Sequence, residues 1–364
     1  METTFRPLKF ILDSRIKMGQ SFSFMHSNIE KKRRRLSVAG TDAGLDGLDA
    51  TATNTRDVNT SGKGTGFIGI YEGKSQKGYA PYNPSKVNQD SLLLQEDTET
   101  GTLIVGTFDG HGDHGHKISD FISHHFYDYL LKNSNYKTNL KQAAIEALKS
   151  SEIDCLNAKG IKTDYSGTTA VICIVRKDYL LTLNVGDSRA VLATETEDDY
   201  DIEAITKDHK PDVESERKRI IDSGGRVFSV EYDDGLTGPP RVWLQDADLP
   251  GLAMSRSLGD KIAHTVGVIS EPDIFEHTLT DKDRILMVGS DGIWEFISNR
   301  EALDILTNSI TVKISLDNLI NTAWSRWMDN EQVVDDTTIA IVVFGEEAME
   351  HSNDDQPTSE VIFE

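Results

Sequence analysis

The chain has 364 residues, room for one large domain or two smaller ones, and its 37% hydrophobic and 27% charged content describes a globular protein with polar tails. A net charge of −22 argues against nucleic acid as a general partner, and no apolar run is long enough to span a bilayer as a helix. Two cysteines, Cys155 and Cys173, cannot build a disulfide framework, which sets the expectation of a reducing, cytoplasmic compartment.

Residues 1–65 read as a tail. They lack sustained periodicity and turn rich in Ser, Thr, Gly, Asn and Asp after residue 36, a composition that predicts disorder. The charge is uneven: residues 1–40 carry nine Lys/Arg against three Asp/Glu, which leaves −28 for the remainder. Met18-Gly19-Gln-Ser-Phe-Ser23 has the spacing of an N-myristoylation signal, but it is internal and acts only if translation begins at Met18; chance is the simpler reading. The basic run from Lys31 to Arg35, followed by Ser37, suits acidic lipid, nuclear entry or a basophilic kinase. Acylation of Gly19 together with the run from Lys31 to Arg35 would give peripheral membrane association, so membrane-associated or nuclear pools would arise from this tail.

The folded body is expected over residues 66–345. Strands are predicted at 67–71, 91–95 and 103–108. A helix follows at 118–131, where Ile118, Phe121, Ile122, His125, Tyr129 and Leu130 recur at helical spacing, and a second at 140–156 with Ala143, Ala144, Ala147 and Leu148 on its apolar side. Three strands then come close together, at 168–175, 179–185 and 189–194; the turns Arg176-Lys-Asp178 and Gly186-Asp-Ser188 between them predict antiparallel hairpins. A short helix at 213–223 ends on Gly224-Gly225, and the surface loop 229–250 is expected to carry substrate choice. Strands at 285–290 and 338–344 are separated by helices near 299–308 and 315–328. Several strands are apolar on both faces, which requires sheets covered on both sides. Residues 346–364 form an acidic tail.

The chemistry concentrates at strand ends. Leu103 to Phe108 is an apolar run broken by Asp109-Gly110-His111-Gly112. A carboxylate, an exposed carbonyl and an imidazole there can hold a hard cation and move a proton; a tight turn with a helix-capping Asp explains the same residues, and the two readings stand level. Asp90, Asp291 and Asp335 also flank apolar strands. Four carboxylates brought together cannot all stay charged and unpaired, and a pair of oxygen-liking divalent cations, Mg²⁺ or Mn²⁺, would neutralise them. No Cys/His spacing suggests zinc. Taken singly, each Asp is better read as a turn or cap residue.

Read in order, Lys86-Val-Asn-Gln-Asp90, Asp109-Gly-His-Gly112, Asp164-Tyr-Ser-Gly-Thr-Thr-Ala170, Asn184-Val-Gly-Asp-Ser-Arg189, Asp208-His-Lys-Pro211, Ala253-Met-Ser-Arg-Ser-Leu-Gly-Asp260, Ser290-Asp-Gly-Ile-Trp294 and Asp335-Asp-Thr-Thr338 resemble the motif series of the type 2C metal-dependent protein serine/threonine phosphatases. The resemblance spans residues 66–345. Gly238-Pro-Pro-Arg-Val-Trp-Leu244 and Pro250-Gly-Leu-Ala-Met-Ser resemble plant and protozoan members more than animal ones. The resemblance implies an α+β fold, a four-layer α-β-β-α sandwich with two antiparallel β-sheets and helices on both outer faces. It implies two Mg²⁺ or Mn²⁺ ions sharing Asp109, with the carbonyl of Gly110 on one and Asp291 and Asp335 on the other. Asp90 and Gln89 would hold metal waters, and Asp164 matches a position tied to a third, weaker ion. A hydroxide between the metals would attack the phosphorus of phosphoserine or phosphothreonine in a protein substrate, with His111 protonating the departing oxygen. A monomer is expected.

Three positions depart from the usual pattern. Gln89 stands where a Glu is common, Ser85 and Lys86 where an Arg grips the substrate phosphate, and Glu295 where an Asp is often found. Lys86 supplies a point charge without a bidentate grip. Asp187 and the pair Arg256/Asp260 are read as structural charges, and Trp243, Trp294, Trp324 and Trp327 as core. The competing class is a weak or dead relative serving as a phosphoprotein-binding scaffold; intact Asp109, Asp291, Asp335 and His111 favour the enzyme.

Overall fold

The computed structural model describes residues 58–64, 66–231 and 237–345. Met18, Gly19, the run from Lys31 to Arg35 and the acidic stretch from Glu346 lie outside the described residues.

Two antiparallel sheets form the centre. One has six strands in the order Val58–Lys63, Ile68–Gln76, Thr337–Phe344, Asp283–Gly289, Arg189–Glu195, Tyr200–Ala204; the other has five, in the order Asp273–Thr278, Tyr179–Val185, Ala170–Arg176, Thr102–Phe108, Ser91–Asp97. The alternation of side chains along each strand explains why these strands are apolar on both faces. Leu103, Val105, Val171, Cys173 and Val175 point inward and meet Leu286, Val288, Ala340 and Val342 of the opposite sheet. Their neighbours Ile104, Ile172 and Ile174 point outward beneath helices Gly115–Lys132 and Leu140–Asn157. On the other side Met287, Ile339 and Ile341 pack under helices Asn299–Thr307 and Val312–Glu331. The result is the expected four-layer α-β-β-α sandwich, in which each fully buried Val, Leu or Ile contributes roughly 1.5–3 kcal/mol. Cys173 belongs to the middle layer, where burial pushes its thiol up to about 12, so it is core and not reactive.

The structure corrects several expectations. Folded chain begins ahead of residue 66: Val58–Lys63 is an edge strand on Ile68–Gln76. Its polar sequence has no apolar alternation to reveal it. The strand expected at 168–175 is two pieces, Gly167–Thr168 and Ala170–Arg176, in different sheets. Arg176-Lys-Asp178 does turn a hairpin, but Gly186-Asp-Ser188 does not, because Arg189–Glu195 crosses to the six-stranded sheet and pairs with Asp283–Gly289 and Tyr200–Ala204. Half of the stretch expected as loop 229–250 is strand: Arg226–Glu231, Thr237–Trp243 and Pro250–Leu252 make a small antiparallel sheet.

Candidate active site

Asp109 stands where the strand Thr102–Phe108, buried along its whole length, runs out. The chain then makes the two-residue strand Gly110–His111 and enters the helix Gly115–Lys132. Gly110 permits this, since a Cβ there would lie 2.5 Å from the carbonyl oxygens of both Gln89 and Gly115. Thr169 clamps the backbone of Asp109: the Asp109 N–H donates to Thr169 Oγ1 at 3.1 Å, and the Thr169 N–H donates to the Asp109 carbonyl at 2.9 Å. Asp90 precedes Ser91–Asp97 on the same sheet. Asp291 and Asp335 come from the opposite sheet, the first just after Asp283–Gly289 and the second just before Thr337–Phe344. The two sheets thus bring strand ends 90, 109, 291 and 335 to one edge of the sandwich.

Each of these carboxylates lies in the field of others in the set. Burial and the neighbouring Asp336 and Asp335 raise the carboxyl of Asp90 to about 7, although Thr338 and Ser290 hydroxyls pull the other way. Burial raises Asp335 to about 7, with Asp291 and Asp336 adding to the rise and Lys86 opposing it. Asp291 is raised to about 6 by burial and Asp187, against Lys210. Burial lifts Asp109 well above the ordinary range, and Asp90, Asp291, Asp335 and Asp187 all add to it. Such mutual raising is the signature of like charges held in one low-dielectric space.

Whether cations fit is decided by the donors. All are oxygens, the ligand type of Mg²⁺ and Mn²⁺, and Asp291 Oδ1 is buried with no hydrogen-bond partner. Among the described residues no three His, Cys, Asp or Glu groups are drawn in as a finished metal cage; the carboxylates lie within one another's electrostatic fields. Two divalent ions would supply the charge that this field lacks.

The remaining predicted residues sit around the cluster. Gln89 ties the turn together, its Nε2 donating to the Gly112 carbonyl at 2.6 Å and its N–H to Asp336 Oδ2 at 2.8 Å. Lys86 Nζ lies 2.5 Å from Asp336 Oδ2 and 3.8 Å from Asp335 Oδ1. Burial disfavours its charge, but Asp336 and Asp335 outweigh that and raise its pKa. Lys86 is therefore anchored by a carboxylate and not free in the cleft. Asp164 is exposed, on the segment whose backbone carbonyl accepts from the Ile262 N–H at 3.1 Å.

Three residues matter more than their sequence context shows. Asp336 is 3% exposed and collects Lys86, the Gly78 N–H and the Gln89 N–H. Asp187 is 1% exposed, pairs with Lys210, and adds its charge to those of Asp109 and Asp291. Asp260 does not pair with Arg256, which instead clasps Glu216 and Asp273; the Asp260 carboxylate lies 2.6 Å from Nε2 of His111. Burial opposes a charged ring at His111, but Asp260 outweighs it and holds the imidazole pKa above its usual value. The residues lie in motifs quoted above, yet only the fold shows which partner each one takes.

Comparison with known proteins agrees with this geometry. The protein phosphatase 2C family model matches residues 88–331. The Arabidopsis thaliana protein named "Probable protein phosphatase 2C 72" is 34% identical over 279 residues, covering 72% of this chain and 83% of that protein. The rice (Oryza sativa subsp. japonica) protein named "Probable protein phosphatase 2C 48" is 30% identical over 347 residues, covering 85% and 95%. Among solved structures, serine-threonine phosphatase 2C from Toxoplasma gondii superposes with a TM-score of 0.67 at 21% identity, covering 79% of this chain and 99% of that one, which shows the shared fold. With the family model matched over residues 88–331 and the strand-end carboxylates gathered at one edge of the sandwich, the chain belongs to the protein phosphatase 2C family.

Proposed function

We propose that the chain hydrolyses phosphoserine and phosphothreonine in protein substrates in a reaction that requires Mg²⁺ or Mn²⁺. The observation that carries this reading is the mutual raising of Asp90, Asp109, Asp291 and Asp335. Asp109, the Gly110 carbonyl, Asp291 and Asp335 would hold two cations, with Asp90 and Gln89 behind them. Such cations cancel the repulsion among the carboxylates and lower the pKa of water enough for attack on phosphorus at neutral pH. For a third, weaker ion the electrostatics favour Asp187, which acts on Asp109 and Asp291, over exposed Asp164.

The chain's own residues do the rest. Lys86 offers positive charge beside Asp335 for the incoming phosphate, although Asp336 limits its reach. His111, buried and with its protonated form favoured by Asp260, donates a proton to the departing serine or threonine oxygen, a step worth about 10²–10⁴ in rate.

The test is Mn²⁺-dependent release of phosphate from a phosphothreonine peptide, abolished by EDTA and absent in Asp109→Asn. Near wild-type turnover by Asp109→Asn would overturn the two-cation assignment. Binding of the phosphopeptide without any turnover would favour the scaffold reading instead.

A further inference from the structure

The Gly110–His111 strand lies at the edge of a three-stranded miniature sheet with Gly167–Thr168 in the middle and Leu258–Gly259 on the far side. The register places His111 opposite Gly167 and Gly167 opposite Gly259. Asp260 follows directly after Gly259. Its carboxylate has to pass over the middle strand to reach the imidazole, and Gly167 leaves that path clear: a Cβ there would lie 2.2 Å from Asp260 Oδ2. The carboxylate then meets His111 Nε2 at 2.6 Å, with Asp260 1% exposed and His111 5%.

Two further features show that this contact is built and not incidental. Asp260 occupies the N-cap of the short helix Lys261–His264, where an Asp ordinarily accepts from the helix's own N–H groups, yet its side chain makes no cap hydrogen bond. Its backbone is also left-handed, φ 36 and ψ 46, a region that a non-glycine residue enters at a cost. The Asp260 N–H donates to the Ser166 carbonyl and its own carbonyl accepts from the His264 N–H, which holds that conformation. Meanwhile His111 Nδ1 is buried and makes no hydrogen bond. One ring nitrogen is fixed by a carboxylate, and the other has no partner among the described residues.

We infer that Asp260 is a positioning residue for the reaction: it accepts from Nε2–H and orients the ring of His111 so that a proton carried on Nδ1 passes to the leaving oxygen of the substrate, leaving the ring neutral with its remaining proton on Nε2. Carboxylates that hold an imidazole through one nitrogen fix what the other can do. The inference rests on the proposed role of His111 as proton donor, and it adds a residue that works only through it.

The experiment compares Asp260→Asn, His111→Gln and the double variant on a phosphothreonine peptide and on nitrophenyl phosphate, at saturating Mn²⁺. Asn tolerates the left-handed conformation, and a melting curve checks that the fold survives. Asp260→Asn should lower kcat on the peptide roughly tenfold or more, with a much smaller loss on the aryl ester, whose phenolate leaves without protonation. KM should move little, and the double variant should be no slower than His111→Gln alone, because the two residues act as one unit. Equal fractional loss on both substrates by Asp260→Asn, or additive losses in the double variant, would overturn the inference while leaving His111 as the donor. An equal loss on both substrates by His111→Gln would remove the donor role itself, and the inference with it. Nitrogen-15 shifts of His111 in the Mg²⁺-loaded wild-type chain give a check free of any variant: a proton on Nε2 is expected, and a neutral ring protonated only on Nδ1 would refute the arrangement.

Discussion

Stripping divalent cations should make the stability of this chain fall as pH rises. Burial and neighbouring carboxylates hold Asp90 and Asp335 up at about 7 and Asp291 at about 6, against an ordinary value of 3.8. A carboxyl raised on folding binds more protons in the folded than in the unfolded chain between those values. Its burden is absent below pH 4, grows through the window, and is complete above about pH 7. For Asp90 alone the rise is about three units at roughly 1.4 kcal/mol each, on the order of 4 kcal/mol. About 2.5 kcal/mol of this falls between pH 5 and pH 7.5, so at about 2 °C per kcal/mol for a domain of this size Tm in EDTA should drop by about 5 °C across that span. With millimolar Mn²⁺ the drop should largely vanish, because bound cations favour the ionised carboxylates and stabilise the folded state by mass action. The assay is a set of thermal melts at half-unit pH steps with EDTA or Mn²⁺, repeated on Asp90→Asn, which should flatten the EDTA curve. A Tm in EDTA that is flat or rising across this window, or a fall equally steep in Mn²⁺, would refute the claim that the four carboxylates share one space.

Asp335→Asn should lose activity mainly through weakened cation binding, so titration with Mn²⁺ should restore part of the rate; no recovery at any concentration would place Asp335 outside the metal set. Lys86→Gln leaves Asp336 buried with two backbone N–H partners but no cation, and should cost about 3 kcal/mol of stability. Chemical denaturation measures that loss, and an unchanged midpoint with a raised KM would show that Lys86 serves substrate and not Asp336. A chain beginning at Met18, co-expressed with an N-myristoyltransferase, should carry the acyl group on Gly19 and bind vesicles of acidic lipid through the run from Lys31 to Arg35. Mass spectrometry decides it, and an unmodified Gly19 ends the idea.

Periodicity made the middle of this protein legible. Strands such as Thr102–Phe108 and Thr337–Phe344 are long enough to show apolar residues on both faces, and that pattern admits only a sheet covered on both sides. Helix Gly115–Lys132 announced itself by its apolar stripe, and the strand-end aspartates by their place after or before such runs. The edge strand Val58–Lys63 had no such pattern, and a polar strand is indistinguishable from a polar loop until it finds its neighbour.

What the sequence by itself determined is therefore the layers and the identity of the four carboxylates that edge them. The tertiary structure alone decided who meets whom. Gly186-Asp-Ser188 looks like a hairpin turn locally, and becomes a crossover only because the next strand finds better partners in the other sheet. Asp187 is thereby buried beside the cluster, in place of standing on a turn. His111 and Asp260 lie 149 positions apart, joined across strands of two residues each, too short to carry any period. Local pattern records which face of an element is buried, whereas a pairing between two polar groups depends on the register of every strand between them, and no window of sequence contains that.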